Sequence, residues 1–365
     1  MSFLRPFHAA SHGGRAADDG GALRRPSGGV TGTPGRLAGE ILRVAPDDEE
    51  YLRLAALEAA HWATPHPFSL EAQELKQGFD DTIDRYTNAR FTGDPDLPWE
   101  RTICRHGRFR RGLILGTSMM SVEARILESN PDLHVVFIDL SEGALERRRT
   151  LLGPRFPGRV ATRAADLNFL DIEPKTYDCI VSQASLHHVT NLEYLAHQIN
   201  RGLTPEGSFF LQDYVGEPRF QFREEKKRVF AEIYLREAMR YRGRAHALRW
   251  NDPSDLSPFC GVRSDEVLGV LGSHLQETWL RTAGTLTVPL LRSRPVDGEW
   301  PYPRTALQRA RDAAEVWVYA LRRQPVPGKA RVSAEFLERL MVVGDVLTDA
   351  GVLVPGNAFA VYRAR

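Results

Sequence analysis

Two carboxylates stand at the ends of apolar runs. Asp139 closes His134-Val135-Val136-Phe137-Ile138, and Asp166 follows the shorter run from Val160 to Ala165. A carboxylate at the end of a buried strand accepts protons from hydroxyl and amino groups. Asp139 lies roughly 20 residues beyond Gly116, the interval at which nucleotide folds place the acid that takes both hydroxyls of a ribose. A helix N-cap ahead of Ser141-Glu142 is the other reading, and position favours the sugar. Asp166, with Leu167 and Asn168, is balanced between an adenine amino group and an Asx turn. A third cluster is Ser182-Gln183-Ala184-Ser185-Leu186-His187-His188. One imidazole there, His187, suits proton transfer near neutral pH. His188 reads as satisfying loop backbone or facing water. Neighbouring side chains tend to diverge, so the pair is not expected to share a metal, and no metal site is assigned. Asp213 and Tyr214, after a fifth apolar run, are further candidates for taking a proton.

The elements that must hold these residues alternate. Gly112 to Leu115, His134 to Ile138, Val160 to Ala165, Tyr177 to Val181 and Gly207 to Leu211 read as short buried strands. Helices are expected over Val122 to Glu128 and Ser141 to Leu152, and along Leu192, Leu195, Ile199 and Leu203, with Asn191 as the cap. Strands alternating with helices make a mostly parallel sheet covered on both faces, with ligands bound outside its carboxyl ends. Further on, helices are expected over 224–240, 264–272 and 333–350, a sixth strand over 275–281, and a last strand at Ala358 to Tyr362. Residues 1–36, rich in Gly, Arg, Ser and Ala, read as a disordered arm. Residues 37–110 read as a helical cap, with Tyr51, Leu54 and Leu57 on one helix face, Ser69 capping a second helix and Asp80 to Arg90 forming a third. Residues 111–365 then form the sheet domain with a C-terminal helical insertion.

Composition excludes several classes. A formal net charge of +1 over 365 residues provides no field for nucleic acid or anionic lipid. The local basic run from Arg105 to Arg111 reads as a solvated face. No apolar stretch is long enough to span a bilayer. Three dispersed cysteines, Cys104, Cys179 and Cys260, have no CxxC spacing and fit a reducing, cytoplasmic setting rather than a structural zinc or disulfide framework. The partner expected is a small molecule; the sequence sets no oligomeric state.

Several segments carry a family resemblance. Phe137-Ile138-Asp139-Leu140-Ser141-Glu142-Gly143-Ala144-Leu145 resembles the segment after the first motif of class I S-adenosylmethionine (SAM)-dependent methyltransferases. Tyr177 to Val181 resembles that family's motif strand with its aromatic-Asp start, and Ser185-Leu186-His187-His188-Val189 the loop after it. Leu203-Thr204-Pro205-Glu206-Gly207 is similar to its turn before the fifth strand, and Ala358 to Val361 to its last, antiparallel strand. Tyr86 to Gly93 is similar to a cap motif of some members. The resemblance implies a Rossmann-like seven-stranded sheet with SAM as cofactor. It places SAM against Gly116, Asp139, Leu140, Asp166 and Leu167, with Ser182 and Gln183 near the methionine end; Thr117 and Ser118, which depart from the family's glycines, either donate hydroxyls to the SAM carboxylate or serve loop packing. Tyr86 and Arg90 would close from the cap, Arg90 pairing with a carboxylate. His187, Asp213 or Tyr214 would take a proton from the acceptor, and Tyr214 could alternatively face the sulfonium.

One departure bears on the chemistry. The family's first loop carries three glycines after an acidic residue, whereas here Ile114 holds the acidic position and the loop reads Gly116-Thr117-Ser118-Met119-Met120. Side chains at 118 and 120 crowd the approach that glycines allow. Three functions follow: methyl transfer to a small molecule, with secondary metabolism as one setting; other SAM chemistry, such as aminocarboxypropyl transfer or cyclisation releasing methylthioadenosine; and a cofactor-free scaffold.

Overall fold

The computed structural model describes residues 42–63, 82–117, 120–242, 247–250, 252–295, 314 and 334–365. The arm, the Ser69 helix and Ser118 lie outside them. Helices α1 (Glu49–Ala63) and α2 (Thr82–Thr92) come first, followed by a 3-10 turn at Trp99–Arg105. The alternating part runs β1 (Arg111–Leu115), α3 (Met120–Ser129), β2 (His134–Asp139), α4 (Glu142–Leu151), β3 (Val160–Ala164), β4 (Tyr177–Gln183), α5 (Leu192–Gly202) and β5 (Leu203–Tyr214). Beyond it lie α6 (Glu224–Arg242), β6 (Leu248–Trp250), α7 (Val267–His274), β7 (Gln276–Ala283), α8 (Thr287–Leu291), β8 (Ser293–Pro295), α9 (Ala334–Asp349) and β9 (Asn357–Arg363).

Seven strands form one sheet in the order β3-β2-β1-β4-β5-β9-β7. The first five are mutually parallel, and β9 runs antiparallel to both β5 and β7. Period-two alternation divides the strand residues between two apolar layers. Leu113, Ile180, Phe209 and Leu211 pack with Leu195 and Ile199 of α5 and Leu271 of α7. Ile114, Phe137, Val181 and Phe210 pack with Ile126 and Leu127 of α3, and with Phe91, Trp99 and Ile103. The segment from α2 to the 3-10 turn is therefore built into the sheet's own core, and a boundary at 110/111 divides chain order rather than packing. A third cluster joins Phe230 and Tyr234 of α6 to Leu290 of α8 and Leu340 of α9.

Two local expectations are corrected. The buried positions of α1 are Tyr51, Ala55 and Glu58, and Leu57 is half exposed at 50%. A charged residue, Glu58, takes a place on the inward face because it has polar partners there. Leu203 does not end α5; it pairs with Tyr177 as the first residue of β5. Asn191 sits at the α5 N-cap position, but its side chain is drawn elsewhere. Its Oδ1 accepts from the Arg43 and Val44 amides at 2.8 and 3.1 Å, tying the start of the described chain to the sheet.

Candidate functional site

The carboxyl ends of β1, β2 and β3 bring the predicted acids to one rim. Gly116 turns the chain off β1 with a φ of +76°, and a Cβ there would come within 2.2 Å of Ser185 Oγ. Glycine is thus required both for the backbone and for the close passage of the β4 loop. Asp139, on the neighbouring strand, accepts from the Thr117 amide at 2.7 Å and the Thr117 hydroxyl at 2.6 Å through one oxygen. Its other oxygen accepts the Ser141 amide at 2.7 Å, while Ser141 Oγ itself caps α4. Leu140 packs beside it, against the cluster formed by Tyr51, Ala55 and Phe259. Asp166 accepts from the Asn168 amide at 2.8 Å, forming the Asx turn that opens a one-turn helix at Leu167–Phe169. The Tyr51 hydroxyl donates to its second oxygen at 2.5 Å. Tyr51 is stacked on Phe259 and meets Phe169 edge-on, and burial first, then Asp166, pushes its phenol pKa up. Sequence reasoning placed Tyr51 on a buried face but had no signal for its partner.

A second group forms where β4 and β5 end. Ala184 follows β4 with a φ of +49°, a strained region for a residue with a Cβ, and leads into a 3-10 turn at Leu186–His188. Asp213, fully buried, holds that turn: one oxygen accepts the Ser185 and Leu186 amides, and the other accepts the Tyr214 amide. The latter oxygen also meets His187 Nδ1 at 2.5 Å. Asp213 therefore positions other groups and is not open to an acceptor. His188 corrects the expectation of a solvent-facing ring. Its Nδ1 meets Glu58 Oε1 at 2.8 Å, its side chain is 17% exposed, and it packs edge-on to Trp62. Glu58 also accepts from Trp62 Nε1, the Ser257 hydroxyl and the Phe259 amide. The imidazoles do not diverge either, since their centroids are 4.3 Å apart.

Cys260 completes this group, with Sγ 4.0 Å from His187 Nε2. Its loop is built to hold it. Arg219 and Phe220 are consecutive left-handed residues, and the Arg219 guanidinium gathers the carbonyls of Pro253, Ser257, Pro258 and Cys260. Burial opposes charge on every member, and mutual attraction overrides it. His188 rises to about 10 because Cys260 and Glu58 outweigh desolvation. Glu58 falls to about 2 because His188 and the donors around it outweigh the same penalty. Cys260 is held well below the usual thiol range by both histidines, and His187 is raised by Asp213, in each case against burial.

Other predicted residues fall elsewhere. Tyr86 bonds the Met341 carbonyl, and Arg90 pairs with Asp349 and the Thr282 carbonyl. The carboxylate that Arg90 meets is thus the chain's own, and β7 lies at the opposite end of the sheet from β3. Tyr214 stacks on Phe220 at 4.2 Å and donates to the Glu217 carbonyl, so it is packed into the core around Phe222 and Val288. Ser182 is fully buried against the Leu115 carbonyl. Gln183, last in β4, has a buried Oε1 with no hydrogen-bond partner.

Residues 114–209, spanning β1 to the middle of β5, match the family model described as a methyltransferase domain. No curated protein matches the chain. Among solved structures it is similar to phosphoethanolamine N-methyltransferase 2 of Haemonchus contortus, at 15% identity and a TM-score of 0.41 over 73% of this chain and 53% of that one. It is also similar to geranyl diphosphate C-methyltransferase of Streptomyces coelicolor A3(2), at 12% identity and a TM-score of 0.40 over 72% and 74%. A SAM-dependent methyltransferase of Mesorhizobium loti aligns at 17% identity and a TM-score of 0.35 over 73% and 93%. Among the described residues, no helix is long and apolar enough to cross a membrane. The match to a methyltransferase domain at residues 114–209 thus falls on β1 to β5, the parallel part of the sheet.

Proposed function

We propose that the chain binds SAM across the ends of β1, β2, β3 and β4 and transfers its methyl group to a small-molecule acceptor. The observation that carries this is the convergence of Asp139 and Asp166 on neighbouring strand ends beside the Gly116 turn. The residues fit such a ligand. A carboxylate offers about four acceptor positions, and each of these two acids has three occupied by protein donors. One position therefore stays open on each. The Thr117 hydroxyl, free to rotate, can release a second on Asp139 for the sugar. Asp166 would meet the adenine amino group, and Leu140 and Leu167 would flank the base. Gln183 Oε1, buried and unpartnered, is an acceptor for the ammonium of the methionine end. Bound there, SAM supplies an electrophilic methyl group, so the chain's task is alignment and exclusion of water. His187, oriented by Asp213, would exchange the acceptor's proton, with Tyr214 supporting that turn from the core.

A cofactor-free binding subunit is the second reading. It draws on the same hydrogen bonds, because Tyr51 and Thr117 already satisfy most of what a nucleoside would. Incubating the full chain with SAM and a pooled small-molecule extract, then measuring nucleoside products by mass spectrometry, separates the readings. Extract-dependent S-adenosylhomocysteine supports methyl transfer. Methylthioadenosine formed without extract points to other SAM chemistry, and no turnover with no SAM binding supports the subunit.

A further inference from the structure

His187, His188 and Cys260 each present one donor atom within 4.8 Å of the other two. We propose that these three side chains bind a single divalent cation of the zinc type.

Zinc bonds of about 2.3 Å to sulfur and 2.0 Å to nitrogen at tetrahedral angles put sulfur and nitrogen about 3.5 Å apart. Cys260 Sγ and His187 Nε2 stand at 4.0 Å, so this pair closes by about half an ångström to seat the ion, with all three donor atoms within 4.8 Å of one another. Adjacent histidines can serve one ion here because the 3-10 turn at Leu186–His188 sets their rings at 48° rather than splaying them.

Each imidazole carries the second partner that metal-bound histidines require. Asp213 takes the Nδ1 proton of His187, and Glu58 takes that of His188. Both carboxylates thereby select the tautomer whose Nε2 lone pair is available to a cation. Both acids are themselves fixed by further donors, so the ring orientations are set before any ion arrives.

Three ligands among the described residues leave a fourth position for water or an acceptor atom, as in catalytic rather than structural zinc sites. With Nε2 of His187 on the ion, a metal-bound hydroxide, formed when the bound water gives up its proton, would replace that imidazole as the proton acceptor.

The inference is independent of SAM, because metal is read without it. The full chain, expressed with zinc supplementation, is analysed for metal content and by zinc X-ray absorption. The expected result is about one zinc per chain with one sulfur scatterer near 2.3 Å and nitrogen or oxygen near 2.0 Å. In cobalt-loaded protein, a thiolate-to-cobalt charge-transfer band should appear, vanish in Cys260→Ser and persist in Cys104→Ser. Glu58→Gln, which changes no ligand, should weaken zinc binding about 10–100-fold. Metal-free wild-type protein that takes up no zinc, or zinc bound without sulfur and equally well by Cys260→Ser, overturns the proposal.

Discussion

Tyr51 and Thr117 donate to the same carboxylate oxygens that a nucleoside needs, so affinity at the rim depends on a competition between protein and ligand hydroxyls. Tyr51→Phe returns an acceptor position to Asp166. The expected outcome is SAM binding strengthened up to about tenfold, which is about 1.4 kcal/mol. The same change removes a buried hydrogen bond and should lower stability by about 1–2 kcal/mol. Calorimetry and thermal unfolding measure the two effects, and weaker SAM binding would show that the phenol assists the ligand. At this scale the sequence was partly legible. Asp139 and Asp166 were readable because strand ends follow from apolar runs. Their protein partners were not: Tyr51 lies 115 residues from Asp166, and Glu58 130 residues from His188. No periodicity encodes such pairs. The expectation that adjacent histidines diverge failed because the chain makes a 3-10 turn there, which brings their rings to 4.3 Å between centroids.

The loop from 253 to 263 brings Cys260 to the histidines. Arg263, at its end, donates to Glu193 of α5, to Glu266 and to the Thr190 carbonyl, fastening the loop to the sheet's helical layer. Glu193 is drawn down to about 2, first by that guanidinium. A carboxylate with a lowered pKa stabilises the fold fully above its ordinary value of 4.5, and the contribution disappears as pH falls through about 2. Arg263→Gln should therefore lower stability by about 1–3 kcal/mol near neutral pH, the range for charge-assisted hydrogen bonds. Its deficit relative to wild type should close between pH 4.5 and 2. A deficit constant across that range in denaturant melts would mean that Arg263 acts through packing alone. The strands and helices around this loop were legible from their apolar spacing. The loop itself was not, because Arg219 holds it through carbonyl groups, which every residue type possesses.

Across the whole molecule, the helical segment before β1 and the sheet share one core. Phe91 packs on Phe359 of β9 with 1% exposure, so Phe91→Ala should cost about 3–5 kcal/mol and shift a single thermal transition. Loss of a separate low-temperature transition, with the main one unmoved, would mean that the segment unfolds on its own. The sheet's topology was the most legible feature of all, since alternating strands and helices permit few arrangements. The last strand was foreseen at the terminus, and its antiparallel pairing with β5 and β7 is what the resemblance implied. The account as a whole rests on the rim formed by β1, β2 and β3 as a site for the adenosine of SAM. Titration calorimetry of SAM against wild type and Asp139→Ala tests it most directly. The account predicts one site per chain in the wild type, weakened at least about tenfold by the substitution, which leaves the ribose without its acceptor. A wild-type chain that takes up no SAM, or an Asp139→Ala chain that binds it equally well, would contradict it.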